Sequence, residues 1–231
     1  MKITFWGDSL TAGQPGSSFF DKMVDRLPDH TLFNFGRGGD TVISLHKRIL
    51  RMDPLGPVDI AFLWIGTNDV LLGASFSLRV IGLLRRMPTS RDNAEFNSHY
   101  QSILSILSQS AGVVVVVPPI LIGEDINNRW NHQLAALTQS IEELASHYHN
   151  VTYLDLRSAF ISHLAQKQPS QYIPLSAIQI AWDGLMLKTS AQIDRQADKR
   201  GLHVTLDGVH LNSVGADMVA NQFMGTITSA A

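Results

Sequence analysis

Residues 111–123 read Ala-Gly-Val-Val-Val-Val-Val-Pro-Pro-Ile-Leu-Ile-Gly, and the five consecutive valines at 113–117 decide the fold. A strand with one wet face alternates apolar and polar residues. A run with no polar member is instead buried on both faces, as strands of parallel sheets are. The whole stretch, with Pro118 and Pro119 inside it, falls short of the ~18–20 apolar residues that a membrane-spanning helix needs.

Working outward, four further short apolar runs read as strands: Lys2–Trp6, Thr31–Phe35, Val58–Ile65 and Val151–Leu154. Helical spacing separates them. Trp130, Leu134, Leu137, Ile141, Leu144 and Tyr148 step by four and three, as do Phe96, Tyr100, Ile103 and Leu107, and Val42, Leu45 and Ile49. A last helix begins after Asn212-Ser213, either of which could cap it. Five strands interleaved with helices predict an α/β protein, a doubly wound parallel sheet with helices on both sides.

The chain has 231 residues, no repeat and no linker-like change of composition, which predicts a single domain over 1–231. Two irregular stretches, 70–92 with Arg79, Arg85 and Arg86, and 166–203 with Pro169, Pro174 and Trp182, read as insertions at the edge of the core. They would either cover a cleft or add packing helices. With 18 Lys+Arg against 20 Asp+Glu the net charge is -2, which argues against a protein that tracks nucleic-acid phosphates. The absence of cysteine removes disulfide scaffolds, thiol nucleophiles, thiolate zinc sites and iron–sulfur clusters. Met1-Lys2 runs directly into Ile3-Thr4-Phe5-Trp6 with Asp8 close behind, so no signal peptide is visible. The expectation is a cytoplasmic protein, although a chain trimmed of an export signal would read the same. Oligomeric state is left open.

Ligands of open parallel sheets bind beyond the carboxyl ends of the strands. After the first strand comes Gly7-Asp8-Ser9-Leu10-Thr11-Ala12-Gly13, where a serine at a strand–helix turn can present its hydroxyl and keep its N–H free. Thr11 stands where the second glycine of a Gly-x-Ser-x-Gly elbow would be. After the second comes Gly36-Arg37-Gly38-Gly39-Asp40-Thr41, whose glycines can turn backbone N–H groups toward an anion. Thr41 occupies the third glycine position of a dinucleotide fingerprint, so that motif fails. After the third comes Gly66-Thr67-Asn68-Asp69, where the Asn68 amide is a donor. Near the end of the chain, Asp207 lies three residues before His210, close enough to orient the ring and stabilise its cation. Each block alone is ordinary. Together they supply a nucleophile, a base, an orienting carboxylate and donors for an oxyanion, the minimum for acyl transfer.

In this order the blocks resemble the SGNH, or GDSL, hydrolase family, through Gly7-Asp8-Ser9-Leu10, Gly39 directly before Asp40-Thr41, Asn68, and Asp207 with His210. The wording Asn34-Phe35-Gly36-x-Gly38-Gly39-Asp40-Thr41 and Trp64-Ile65-Gly66-Thr67-Asn68 is similar to its platelet-activating-factor acetylhydrolase branch. The resemblance implies a flavodoxin-like α/β/α sandwich with a five-stranded parallel sheet. It also implies a metal-free serine esterase or acylhydrolase acting on a small-molecule ester or thioester. Ser9, Asp207 and His210 would be catalytic, with Ser9, Gly39 and Asn68 as oxyanion donors.

An acyltransferase would use the same acyl-enzyme. A non-catalytic domain binding a nucleotide or sugar phosphate at Gly36–Thr41 is the reading from another class. Ser44-Leu45-His46-Lys47 matches Ser-x-x-Lys but lacks its companion motifs, so Ser44 reads as a helix surface position. His147-x-His149 is the one tight histidine pair and does not make a metal hydrolase. The apolar Val70-Leu71-Leu72 fits either an acyl-chain site or core packing.

Overall fold

The valine run forms the strand its composition demands. In the computed structural model, which describes residues 1–53, 56–173 and 175–230, Val114, Val115, Val116 and Val117 are all fully buried. They belong to β4 (Ala111–Val117), one of five parallel strands with β1 (Lys2–Gly7), β2 (Thr31–Gly36), β3 (Val58–Trp64) and β5 (Val151–Tyr153). The order β2-β1-β3-β4-β5 is the flavodoxin-like arrangement.

Successive side chains on the central strands serve two different cores. Ile60, Phe62 and Trp64 point to one face with Phe5, Val115 and Val117. Ala61 and Leu63 point to the other with Trp6, Val114 and Val116. The first face is covered by α2 (Phe19–Arg26), α8 (Leu156–Leu164) and α11 (Ser213–Ala230). The second is covered by α3 (Val42–Ile49), α6 (Asn93–Ser110) and most of α7 (Arg129–Ser146). Phe223 of α11 stacks on Phe62 at 4.5 Å and meets Phe19 edge-on at 5.1 Å. Truncating so buried an aromatic ring to alanine typically costs about 3–5 kcal/mol.

Helix ends follow local chemistry. Asn212 accepts the Gly215 N–H at 3.0 Å and so caps α11. Ser44 is half-buried, not a simple surface position: with Thr41 it closes a reciprocal capping box that starts α3. Tyr148, the last member of its periodic series, falls just past α7, which ends at Ser146.

Each of the two irregular stretches contains helix. Beyond α1 (Ser9–Ala12) and α4 (Thr67–Leu71), the first holds α5 (Phe76–Leu84), and the second holds α9 (Ala177–Met186) and α10 (Ser190–Lys199). Pro174 lies outside the described residues. Among the described residues no helix is long and apolar enough to cross a membrane.

Register brings the strand ends level, with Gly7 paired to Gly36 and to Trp64, and Trp64 to Val117. The turns carrying Ser9, Gly39 and Asn68 therefore leave the sheet at one height. Ser9 and Asn68 follow β1 and β3, the neighbours between which connections switch sides.

Candidate active site

A close approach sets the first turn. A Cβ on Gly7 would sit 2.2 Å from the Trp64 carbonyl oxygen and from the Thr11 hydroxyl. Only glycine lets β1 end so near its neighbour, and the chain bends there into α1. Asp8 caps that helix by accepting the Leu10 N–H at 2.9 Å, which leaves Ser9 as its first residue.

Ser9 Oγ lies 3.0 Å from His210 Nε2, although 201 residues separate them. His210 Nδ1 lies 2.7 Å from Asp207 Oδ2. An ionised carboxylate only accepts, so Nδ1 carries the proton and Nε2 accepts from the serine hydroxyl. The other oxygen of Asp207 accepts the N–H groups of Val209 and His210, at 3.0 and 2.8 Å. All three side chains are buried. Burial opposes charge on the ring. The Asp207 carboxylate outweighs that effect and, with Asp8 and Asp183, holds the His210 pKa above the ordinary histidine range. Burial alone would raise Asp207, but the imidazolium and its hydrogen bonds keep it below the usual carboxylate range.

Gly39 has φ +82, a left-handed turn that glycine adopts without strain. No described residue accepts from its N–H or from that of Ser9. Asn68 Nδ2 donates to the Asp40 carbonyl at 2.9 Å. An amide nitrogen carries two protons, so this bond holds the side chain and leaves a second donor. Ser9, Gly39, Asn68 and His210 share the lining of one cavity of about 300 Å³.

The two irregular stretches wall that cavity. Leu71, Leu72, Leu78, Ile81 and Met87 come from the first, and Ala177, Ile180 and Gly184 from the second. Leu71 and Leu72 are also part of the buried core, so the core-packing reading of that run holds, and the same two side chains wall the cavity.

Several supporting residues have no motif of their own. Glu124, 2 % exposed, accepts from the N–H groups of His203, Val204 and Thr205 and from the Thr205 hydroxyl, at 2.7–2.9 Å. It pins the chain just before Asp207. The Gly123 N–H donates to the Gly208 carbonyl at 2.7 Å. Arg200 bridges buried Asp183 of α9 at 2.7 Å and donates to the Leu206 carbonyl at 2.9 Å. The one sequence signal for Glu124 is its position beyond the carboxyl end of β4.

Burial pushes the Asp8 and Asp69 carboxyls up to about 7 each, against the backbone N–H groups they accept. Arg48 pairs with Asp40 at 2.7 Å and donates to the Phe35 carbonyl at 2.8 Å, bracing the glycine turn. Among the described residues no three histidine, aspartate or glutamate side chains gather as a metal site.

A sequence model of the GDSL-like lipase/acylhydrolase family matches residues 5–217. No curated protein matches the chain. Solved structures do. An acetylxylan esterase from Geobacillus stearothermophilus superposes with a TM-score of 0.67 at 18% identity, over 98% of this chain and 93% of its own. An α/β hydrolase from the metagenome of Lake Arreo, Spain, gives 0.67 at 18%, over 100% and 96%. An acetyl xylan esterase gives 0.67 at 21%, over 98% and 100%. At such identities these likenesses establish the fold.

Proposed function

The chain belongs to the GDSL-like lipase/acylhydrolase family and is a carboxylic ester hydrolase, and from that premise we propose that it works through an acyl-enzyme on Ser9. One observation carries the reading: the unbroken series Ser9 Oγ, His210 Nε2, His210 Nδ1 and Asp207 Oδ2, with contacts of 3.0 and 2.7 Å.

His210 Nε2 takes the hydroxyl proton as Ser9 Oγ attacks the ester carbonyl. Asp207 stabilises the resulting imidazolium. Charge that develops on the carbonyl oxygen is met by the Ser9 and Gly39 N–H groups and the Asn68 amide. As the tetrahedral intermediate collapses, the imidazolium returns its proton to the departing alkoxide. Water then attacks the acyl-enzyme by the same route, releasing the acid and restoring Ser9.

The cavity walls suggest an apolar acyl group. Leu71, Leu72, Leu78, Ile81, Met87 and Ile180 line it, with Arg85 at its margin. The test is a series of p-nitrophenyl esters of increasing acyl length, run beside acetylated xylo-oligosaccharides. Turnover is expected to rise from the acetyl to the medium-chain esters and to vanish in Ser9→Ala. An optimum at acetyl, with rapid sugar deacetylation, would overturn the acyl assignment. Full activity in Ser9→Ala would overturn the mechanism.

A further inference from the structure

The helices that wall the cavity are apolar on their outer surfaces as well. On α5, Phe76, Leu83 and Leu84 are 83%, 79% and 75% exposed. On α9, Ile178, Trp182 and Leu185 are 79%, 57% and 63% exposed. The α9 set falls at i, i+4 and i+7, and the α5 set at i, i+7 and i+8, so each is one stripe along its helix. The opposite stripes, Leu78 and Ile81 on α5 and Ala177 and Ile180 on α9, line the cavity. The two helices also touch, and Ser75 and Ser77 both donate to the Leu175 carbonyl, at 2.7 and 2.9 Å. A soluble protein rarely leaves so much contiguous apolar surface uncovered without a use for it.

We infer that α5 and α9 dock on an anionic lipid–water interface and open the Ser9 cavity toward esters held there. Charge selects this occupant. From Val70 to Ser90 the chain carries Arg79, Arg85 and Arg86 and no acidic residue, although its net charge is -2; Arg91, just beyond, is paired with Glu95 at 3.1 Å. The acid of α9, Asp183, is buried against Arg200. Along α5 with the turn after it, and along α9, the apolar stripes are thus accompanied by exposed arginines and no exposed carboxylate, the composition of a helix that lies in an anionic headgroup layer. A second copy of the chain fits less well. A two-fold contact sets a patch against itself, so the surface carrying Arg79, Arg85 and Arg86 would face the same cationic surface with no carboxylate of α5 or α9 exposed to offset it. Continuity with the cavity mouth joins docking to catalysis, and the identity of the ester rests on the function proposed above.

The test uses the full chain as Ser9→Ala, so that binding is read without turnover. Co-sedimentation is measured with vesicles of phosphatidylcholine alone and with phosphatidylglycerol added. Binding is expected to the anionic vesicles and to weaken with salt. Leu84→Asp with Trp182→Asp should abolish it, and Arg79→Gln and Arg86→Gln should each weaken it about fivefold. The same substitutions in the Ser9 chain should leave turnover of a soluble short p-nitrophenyl ester unchanged, which also reports that they fold. No binding to anionic vesicles, or binding indifferent to the patch variants, overturns the inference. So does a dimer in sedimentation velocity that Leu84→Asp dissolves in a chain that ignores vesicles. Wild-type failure to hydrolyse any ester would sink the catalytic reading while leaving the vesicle result intact.

Discussion

The Glu124 carboxylate accepts both the N–H and the hydroxyl of Thr205, at 2.8 and 2.7 Å. It thereby ties the turn beyond β4 to the segment that carries Asp207 and His210. The contact spans 81 residues and lies in the interior, where an unsatisfied donor costs about 1–3 kcal/mol.

Glu124→Ala strands several buried donors at once and is expected to lower unfolding free energy by about 3 kcal/mol or more. Glu124→Gln keeps one acceptor oxygen and should lose less. Urea denaturation reads the difference. Turnover should fall in both at temperatures where they remain folded, because the Asp207–His210 loop loses its anchor. An alanine variant as stable as wild type would show the contact to be dispensable.

Asn68→Ala should reduce kcat by about 10²–10³ with little change in KM, since in the proposed mechanism its donor acts on charge present only in the transition state. Steady-state kinetics on one ester is sufficient. A rise in KM with kcat intact would reassign Asn68 to substrate binding.

Gly39→Ala introduces a Cβ at φ +82 that would meet the Met87 methyl at 2.5 Å. Met87 can swing away, so the main consequence is a displaced N–H. A fall in kcat of about tenfold or more is expected, with only about 1–2 kcal/mol lost in stability. Unchanged kcat would mean that this N–H does not face the reacting oxygen.

Activity should decline on the acid side with a midpoint above 6.5, the ordinary histidine value, because His210 is raised and, as the proposed base, must be neutral to take a proton. Asp8→Asn keeps a capping side chain but removes a charge that favours the imidazolium, so the midpoint should move to lower pH. The kcat/KM profile of the two proteins measures this. Stability should respond too. Asp8 holds its proton more tightly folded than unfolded, so its contribution declines as pH rises from 3.8 to about 7. Asp8→Asn should flatten that part of the stability curve.

Local pattern carried the framework because the physics behind it is local. An unbroken run such as Val113–Val117 has no wet face to offer, and the turn residues that follow each strand, Ser9, Gly39 and Asn68, must emerge at one edge once the strands are parallel. Asp207 and His210 were legible for a similar reason, being three residues apart in one turn.

The sequence by itself determined a doubly wound parallel sheet and the set of groups along its carboxyl edge. Only the tertiary structure decided what surrounds them. Glu124 and the Asp183–Arg200 pair find their partners across distant segments, and no spacing encodes such contacts. The helices α5 and α9 are apolar on opposite sides at once, so periodicity cannot say which stripe is inside. Burial depends on what packs against a surface, and here one stripe faces the cavity while the other is left to solvent.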